Sequence, residues 1–394
     1  MNRRYRVLIP VYLALLAWST ISTISINGPV MPLYAESLGI GIVEWGALAA
    51  SWALGMFVSE WVWGSLCDRS DRRWLMILSL LATSLITSLY TVHSLVPAFI
   101  LLEFLTGVMG VTLGPTSRAY ISDESPEASM GLYVSIWWAC FSLGRIFGPL
   151  IGTYIAQTWS FESSFYASSI LSVALAALIL ISFPKQRAWR HESTPANVFV
   201  GVKTILNLKS LSFLFVATIF VFIGKALITS FLPLFAVEPI KMSTIQVGNL
   251  IAALSGAQLL ALPIVGEVSD RFGRKRTTFI GLLISTCLLL LYLVGGSASQ
   301  FLLITIAFGF GIASSSLILA MIPDVTPRAM HGTAIGIYGS MEDLGMIIGP
   351  LVYGFVWTTF APVWIFGAAS ISQFIGALLI YRVKERNNSQ SSKT

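Results

Sequence analysis

Gly64-Ser65-Leu66-Cys67-Asp68-Arg69-Ser70-Asp71-Arg72-Arg73 and Gly266-Glu267-Val268-Ser269-Asp270-Arg271-Phe272-Gly273-Arg274-Lys275 are two copies of one charged turn, half a chain apart. Both read G-x-x-x-D-R-x-x-R-[RK], and each follows a long apolar run. Other positions repeat at nearly the same distance. Pro32 pairs with Pro233, Asp123 with Asp324, Pro126 with Pro327, and Gly131 with Gly332. Gly144, Gly148 and Pro149 pair with Gly345, Gly349 and Pro350. The offset is 201 at these positions and 202 at the charged turn. So constant an offset marks an internal duplication.

The composition says what solvent the two copies face. The 394 residues are 56% hydrophobic and 11% charged, with a mean hydropathy of +0.81. Soluble domains carry about 25% charged residues, so lipid must solvate much of this surface. The net charge of +6 does not indicate a nucleic-acid partner, because the basic residues cluster in short segments between apolar runs, as in loops at a membrane surface. Cys67, Cys140 and Cys287 are scattered, without a CxxC or Cys/His grouping, and point to neither a disulfide framework nor a metal site. Arg3, Arg4 and Arg6 precede an apolar stretch with no small-residue cleavage site, so it reads as a first transmembrane helix, not a signal peptide. A phosphate-loop motif and a catalytic metal motif are both absent from the sequence. The expectation is no enzyme, no cofactor and no ATP-driven pump.

A helix needs about 20 largely apolar residues to cross a bilayer. Twelve segments qualify, near 7–34, 44–66, 74–92, 95–117, 131–157, 161–183, 211–236, 244–268, 277–294, 299–322, 332–358 and 361–381. They are called spans 1 to 12. The expected fold is an all-α integral membrane protein of two pseudo-symmetric six-helix bundles, residues 1–183 and 211–394, joined by a cytoplasmic linker at 184–210. With both termini inside, the inner segments hold all of the 24 basic residues except Lys241, Arg145 and Lys225. That asymmetry predicts a cell-membrane protein with both ends cytoplasmic. Six spans per repeat leave the copies in the same orientation, related by an axis along the membrane normal.

The turn at Gly64, Asp68, Arg69, Arg72 and Arg73, its second copy at Gly266, Asp270, Arg271 and Arg274, and the two-fold repeat together resemble the major facilitator superfamily of secondary transporters. Gly144-x-x-x-Gly148-Pro149-x-x-Gly152 in span 5 looks like a motif of its proton-driven antiporters, although span 11 repeats it at Gly345, Gly349 and Pro350. The resemblance implies that spans 1, 4, 7 and 10 line a central cavity, that spans 2, 5, 8 and 11 form the seam between halves, and that spans 3, 6, 9 and 12 face lipid. It also implies that Asp68 and Asp270 act as conformational latches to the opposite half. The span 5 and span 11 glycines are then expected at the seam.

Ionisable residues inside spans are costly and point to function. They are Glu60, Glu103, Arg145, Lys225, Glu342 and Asp343. Glu103 stands in Glu103-x-x-Thr106-Gly107-x-x-Gly110, which is similar to a second antiporter motif that normally begins with arginine; here that arginine is replaced. Glu103, Glu342 and Asp343 are proton-coupling candidates, with a partnership between Glu103 and Arg145 as the alternative for both. Thr23, Asn27, Tyr34, Trp138, Arg145 and Lys225 are candidates for the substrate cavity, and Glu60 is assigned to the latch network. Four acids against two bases favour cationic or neutral cargo. The expected function is proton-coupled export of small amphipathic compounds by alternating access. A carrier of an organic anion or sugar, and a non-transporting sensor on the same fold, are the alternatives. Expected partners are a small-molecule substrate, protons and the lipid bilayer, and the expected state is a monomer.

Overall fold

The four spans expected to line a cavity are all broken. The computed structural model describes residues 3–92, 95–110, 112–124, 130–183, 208–326 and 330–383. Span 1 runs as Arg3–Ile24 and Val30–Ser37, span 4 as Val96–Gly110 and Leu113–Glu124, and span 7 as Lys209–Ser230 and Leu232–Val237. Span 10 runs as Ala298–Ile312, a tight turn at Ala313–Ser316, and Leu317–Val325. Gly28-Pro29 and Pro233 mark the breaks in spans 1 and 7, since proline has no N–H to continue the ladder. At the break in span 10 the Ser314 hydroxyl donates to the Gly311 carbonyl (2.9 Å) and that of Ser316 to Ala313 (2.8 Å). Hydroxyls thus satisfy backbone oxygens that lipid cannot.

The remaining spans are continuous. Spans 2, 5, 8 and 11 are Ile42–Arg69, Met130–Thr158, Thr244–Phe272 and His331–Thr359. Spans 3, 6, 9 and 12 are Arg72–Leu89, Phe161–Ser182, Arg274–Leu291 and Trp364–Arg382. Eight helices among the described residues are long and apolar enough to cross a membrane by themselves. Large apolar side chains such as Leu85, Ile181, Leu260, Phe355 and Ile371 point outward, as a lipid-solvated surface requires. The charged turns differ in one respect. Gly273 adopts φ +90° between spans 8 and 9, a conformation that favours glycine. The first copy instead passes through extended Ser70 and caps span 3 with Asp71, whose carboxylate accepts from the Arg73 N–H at 3.0 Å.

Close helix approach inside each half is made by glycine, because lipid offers no hydrophobic drive and helices associate through backbone contact. A Cβ at Gly148 would stand 1.8 Å from Thr23 Oγ1, and one at Gly152 would stand 1.9 Å from the Ile24 carbonyl. In the second half, Gly345 meets Ile219 and Gly349 meets Ala226, both at 2.6 Å on the same construction. This corrects the sequence expectation for these glycines. Gly144, Gly148 and Gly152 press span 5 onto span 1, and Gly345 and Gly349 press span 11 onto span 7, all within one half. The seam is made by other glycines. A Cβ at Gly46 of span 2 would lie 2.6 Å from the Pro350 carbonyl, and one at Gly248 of span 8 would lie 2.8 Å from the Pro149 carbonyl and 1.9 Å from Thr153 Oγ1. The prolines of the motif therefore do face the seam, and Gly46 and Gly248 are themselves repeat mates, 202 residues apart.

Candidate functional site

These packing contacts leave the two halves joined at one end and parted at the other. At the end remote from the basic loops, Gly46 and Gly248 close the seams. There the Trp45 indole donates to the Ser230 carbonyl at 2.8 Å, and the Ile245 N–H donates to the Gln157 side chain at 2.9 Å. Glu36 and its repeat mate Glu238 also meet there, beside Lys241. Burial, and then the neighbouring Glu238 carboxylate, pushes Glu36 above the usual carboxylate range, while Lys241 opposes the shift.

Toward the basic loops the halves part around a cavity of about 490 Å³. Its walls come from both halves. Glu60, Arg118, Trp138, Phe141 and Arg145 belong to spans 2, 4 and 5, and Lys225, Gln258, Ser315, Tyr338 and Glu342 belong to spans 7, 8, 10 and 11. Arg118 stacks on Trp137 and Trp138, with its guanidinium carbon 4.5 and 5.5 Å from the ring centres. Trp137 donates to the Ser117 hydroxyl at 2.9 Å and lies parallel to Phe141, 5.7 Å away. This aromatic ladder leaves Trp138 43% exposed. The Lys225 ammonium stands 4.2 Å over the Phe222 ring, within electrostatic range of Glu342 and Arg145. Glu342 also takes a hydrogen bond from Tyr338. A smaller chamber continues past Arg145 and is lined by Thr23, Asn27 and Thr229.

The structure sorts the sequence candidates. Trp138, Arg145, Lys225 and Glu342 line the main cavity, and Asn27 and Thr23 the smaller chamber. The Thr23 hydroxyl donates to the Ser19 carbonyl (2.8 Å) and to Gly144 of span 5 (3.1 Å), so it also ties two helices together. Tyr34 is not in the cavity. It is buried among Phe99, Phe161 and Phe165, and its hydroxyl donates to the Tyr90 carbonyl at 3.4 Å. Glu103 is buried inside the first half, hydrogen-bonded to the Tyr90 hydroxyl and not to Arg145. Asp343 is 4% exposed and sits behind the wall near Glu60 and Glu342. Its Oδ2 has no hydrogen-bond partner among the described residues.

The charged turns make contacts within their own halves. Arg73 donates to the Leu180 carbonyl of span 6. Arg274 forms a two-pronged bond to Asp324 (2.9 and 3.0 Å), and Arg271 pairs with Glu267. Asp270 is exposed, and the side chains of Asp68 and Arg69 lie outside the described residues. A Cβ at Gly64 or Gly266 would meet no atom within 4 Å. Neither glycine is therefore pressed against a neighbouring helix with this end open.

Sequence reasoning missed Arg118 and Glu60 as cavity residues. The charge pattern places Arg118 among the loop cations, whereas it lies within the helix Leu113–Glu124 and lines the cavity. Glu60, which the sequence reading places in the latch network, lines the cavity with its Oε2 3.4 Å from the Cβ position of Gly339 on span 11. Gly46 and Gly248 carried a usable signal, the 202-residue offset of the charged turn.

A sequence profile of the Major Facilitator Superfamily matches residues 13–213 and again 214–394. The chain belongs to the Major Facilitator Superfamily. It is 25% identical over 351 residues to an MFS-type transporter of Methanocaldococcus jannaschii, covering 86% of this chain and 88% of that one. It is 27% identical over 343 residues to the multidrug resistance protein MdtG of Citrobacter koseri, covering 82% of each. In fold it is similar to the crystal structure of a D-xylose–proton symporter, with a TM-score of 0.79 at 15% identity, over 98% of this chain and 99% of that one. The protein is thus a multi-pass membrane transporter with a twelve-helix arrangement, and not an enzyme.

Proposed function

We propose that this protein exports small amphipathic compounds from the cytoplasm in exchange for protons, by alternating access. The observation that carries this reading is the main chamber built from both halves, open toward the basic loops and shut at the other end by Gly46 and Gly248. With the basic loops cytoplasmic, as the charge asymmetry favours, this is an inward-open state ready to load from the cell. Rocking the halves about the chamber would expose it to the other side. Aromatic and polar groups together suit cargo with a flat apolar body and a polar head. The multidrug relative supports efflux as the direction. Protons would be carried by carboxyl groups shielded from water. Asp343, with its unpartnered oxygen beside the seam, and Glu103 with Tyr90 are the candidates. The latch residues Asp68 and Asp270 would engage only when the basic-loop end closes.

The test is purified protein in liposomes carrying an internal pH dye. An imposed proton gradient should drive accumulation of amphipathic substrates, with proton flux that depends on substrate. Substrate movement without proton flux would leave the transporter and remove the proton. Ligand binding with no movement across a broad panel would favour a sensor.

A further inference from the structure

The charges that reach the cavity have a different balance from the charges of the spans at large. Glu103 and Asp343 do not line it, whereas Arg118 does. Among the described residues, three cationic side chains, Arg118, Arg145 and Lys225, therefore face two carboxylates, Glu60 and Glu342. This reverses the preference for cationic or neutral cargo drawn from counting acids along the sequence. The two carboxylates share one wall where spans 2 and 11 meet, Glu60 against Gly339 and Glu342 one turn further along. Glu342 is already engaged by the Tyr338 hydroxyl and the charge of Lys225.

Arg145 has no such engagement. It is open to the cavity, and no carboxylate or carbonyl among the described residues pairs with it. The charge that approaches it from the other half is Lys225, a second cation. Two like charges converging in a poorly hydrated chamber repel, and an anion between them removes that cost. A guanidinium offers a planar fork that fits carboxylate, sulfonate or phosphate oxygens. One and two turns back along span 5 lie Phe141 and the exposed face of Trp138, held by the stack of Trp137 and Arg118.

We infer that the transported compound is an organic anion whose carboxylate, sulfonate or phosphate head binds between Arg145 of the first half and Lys225 of the second, with its flat apolar body against Trp138 and Phe141. The inference rests on the reading of this chamber as the transport site. It adds a coupling of binding to movement, because an anion held by both halves favours the state in which they close around it.

The experiment uses the full chain in nanodiscs and three probes that share one ring system: 2-naphthalenesulfonate, 2-naphthalenesulfonamide and 2-naphthylmethylammonium. Calorimetry should show the sulfonate binding at least about tenfold more tightly than the other two, the effect of one favourable charge contact. Arg145→Gln should reduce the sulfonate to the affinity of the sulfonamide and leave the sulfonamide unchanged. Arg145→Lys should recover part of the difference, and Lys225→Met should lower sulfonate affinity independently. Equal or tighter binding of the sulfonamide or the ammonium to the unmodified protein overturns the inference, and that comparison needs no variant to fold. A sulfonate preference that survives both Arg145→Gln and Lys225→Met overturns it as well, as does binding of none of the three. Liposome transport separates the two readings. Movement of the ammonium but not the sulfonate defeats the anion and keeps the transporter, whereas sulfonate binding without movement of any probe defeats the transporter.

Discussion

Replacing Gly46 by alanine tests how the halves are held. A Cβ there would lie 2.6 Å from the Pro350 carbonyl oxygen and 3.3 Å from its carbon. Both are backbone atoms of an unbroken helix, so the contact is relieved by moving span 2 away from span 11. Overpacking of this kind costs about 1–3 kcal/mol. The cost applies only while that end is closed, so the balance between its closed and open states shifts by about 5- to 150-fold. Any gain in helix propensity from Gly→Ala is common to both states and cancels. Gly248→Ala acts on the other seam, 2.8 Å from the Pro149 carbonyl, and the two substitutions should add because they share no partner. Gly64→Ala is the control, since its Cβ meets nothing within 4 Å in this state. Pulsed EPR distances between nitroxides at Val43 and Phe360, both exposed near that end, report the populations. The double variant should move most molecules to the longer distance. An unchanged distribution, or an equal shift in Gly64→Ala, would refute the claim that these glycine contacts set the closed state.

Three further outcomes follow from the same contacts. Glu103→Gln should leave cargo affinity unchanged, because Glu103 bonds Tyr90 and does not reach the cavity, while abolishing proton-driven accumulation; normal accumulation there, with loss in Asp343→Asn, transfers the proton to Asp343. Gly148→Ala should lower the melting temperature by forcing span 1 off span 5, where a Cβ would stand 1.8 Å from Thr23 Oγ1, at a cost of about 1–3 kcal/mol; scanning fluorimetry should show part of the loss recovered when Thr23→Ala is added. The raised pKa of Glu36 beside Glu238 means that the closed end binds a proton more tightly than a separated one. Closure of that end is then favoured at acid pH and lost as pH rises through the Glu36 titration. Glu36→Gln should flatten that dependence in the same EPR pair, and an unaltered pH profile would show that the pair is silent.

Depth within a span and direction around it are different properties. Hydropathy gives the depth of Glu103, Arg145, Lys225 and Glu342 within their spans. It does not give azimuth, and successive residues on a helix point about 100° apart. Glu342 and Asp343 show this directly, since one faces the cavity and its neighbour lies behind the wall. For Glu103, the side facing Tyr90 was chosen by the packing of spans 3 and 4 through aromatic side chains. The glycines of spans 5 and 11 were legible as packing devices, but their partner helix was not, because a small residue admits whichever backbone the fold brings near.

The sequence by itself determined the duplication, the twelve spans and the gathering of basic residues on one face, because each follows from local chemistry along the chain: solvation by lipid and the cost of a buried charge. Only the tertiary structure decided which charges share one chamber, that Arg118 and Glu60 belong to it, and that Gly46 and Gly248 hold its far end shut. Those facts depend on how each helix is rotated and how closely two helices approach, and both are set by contacts between residues far apart in the chain.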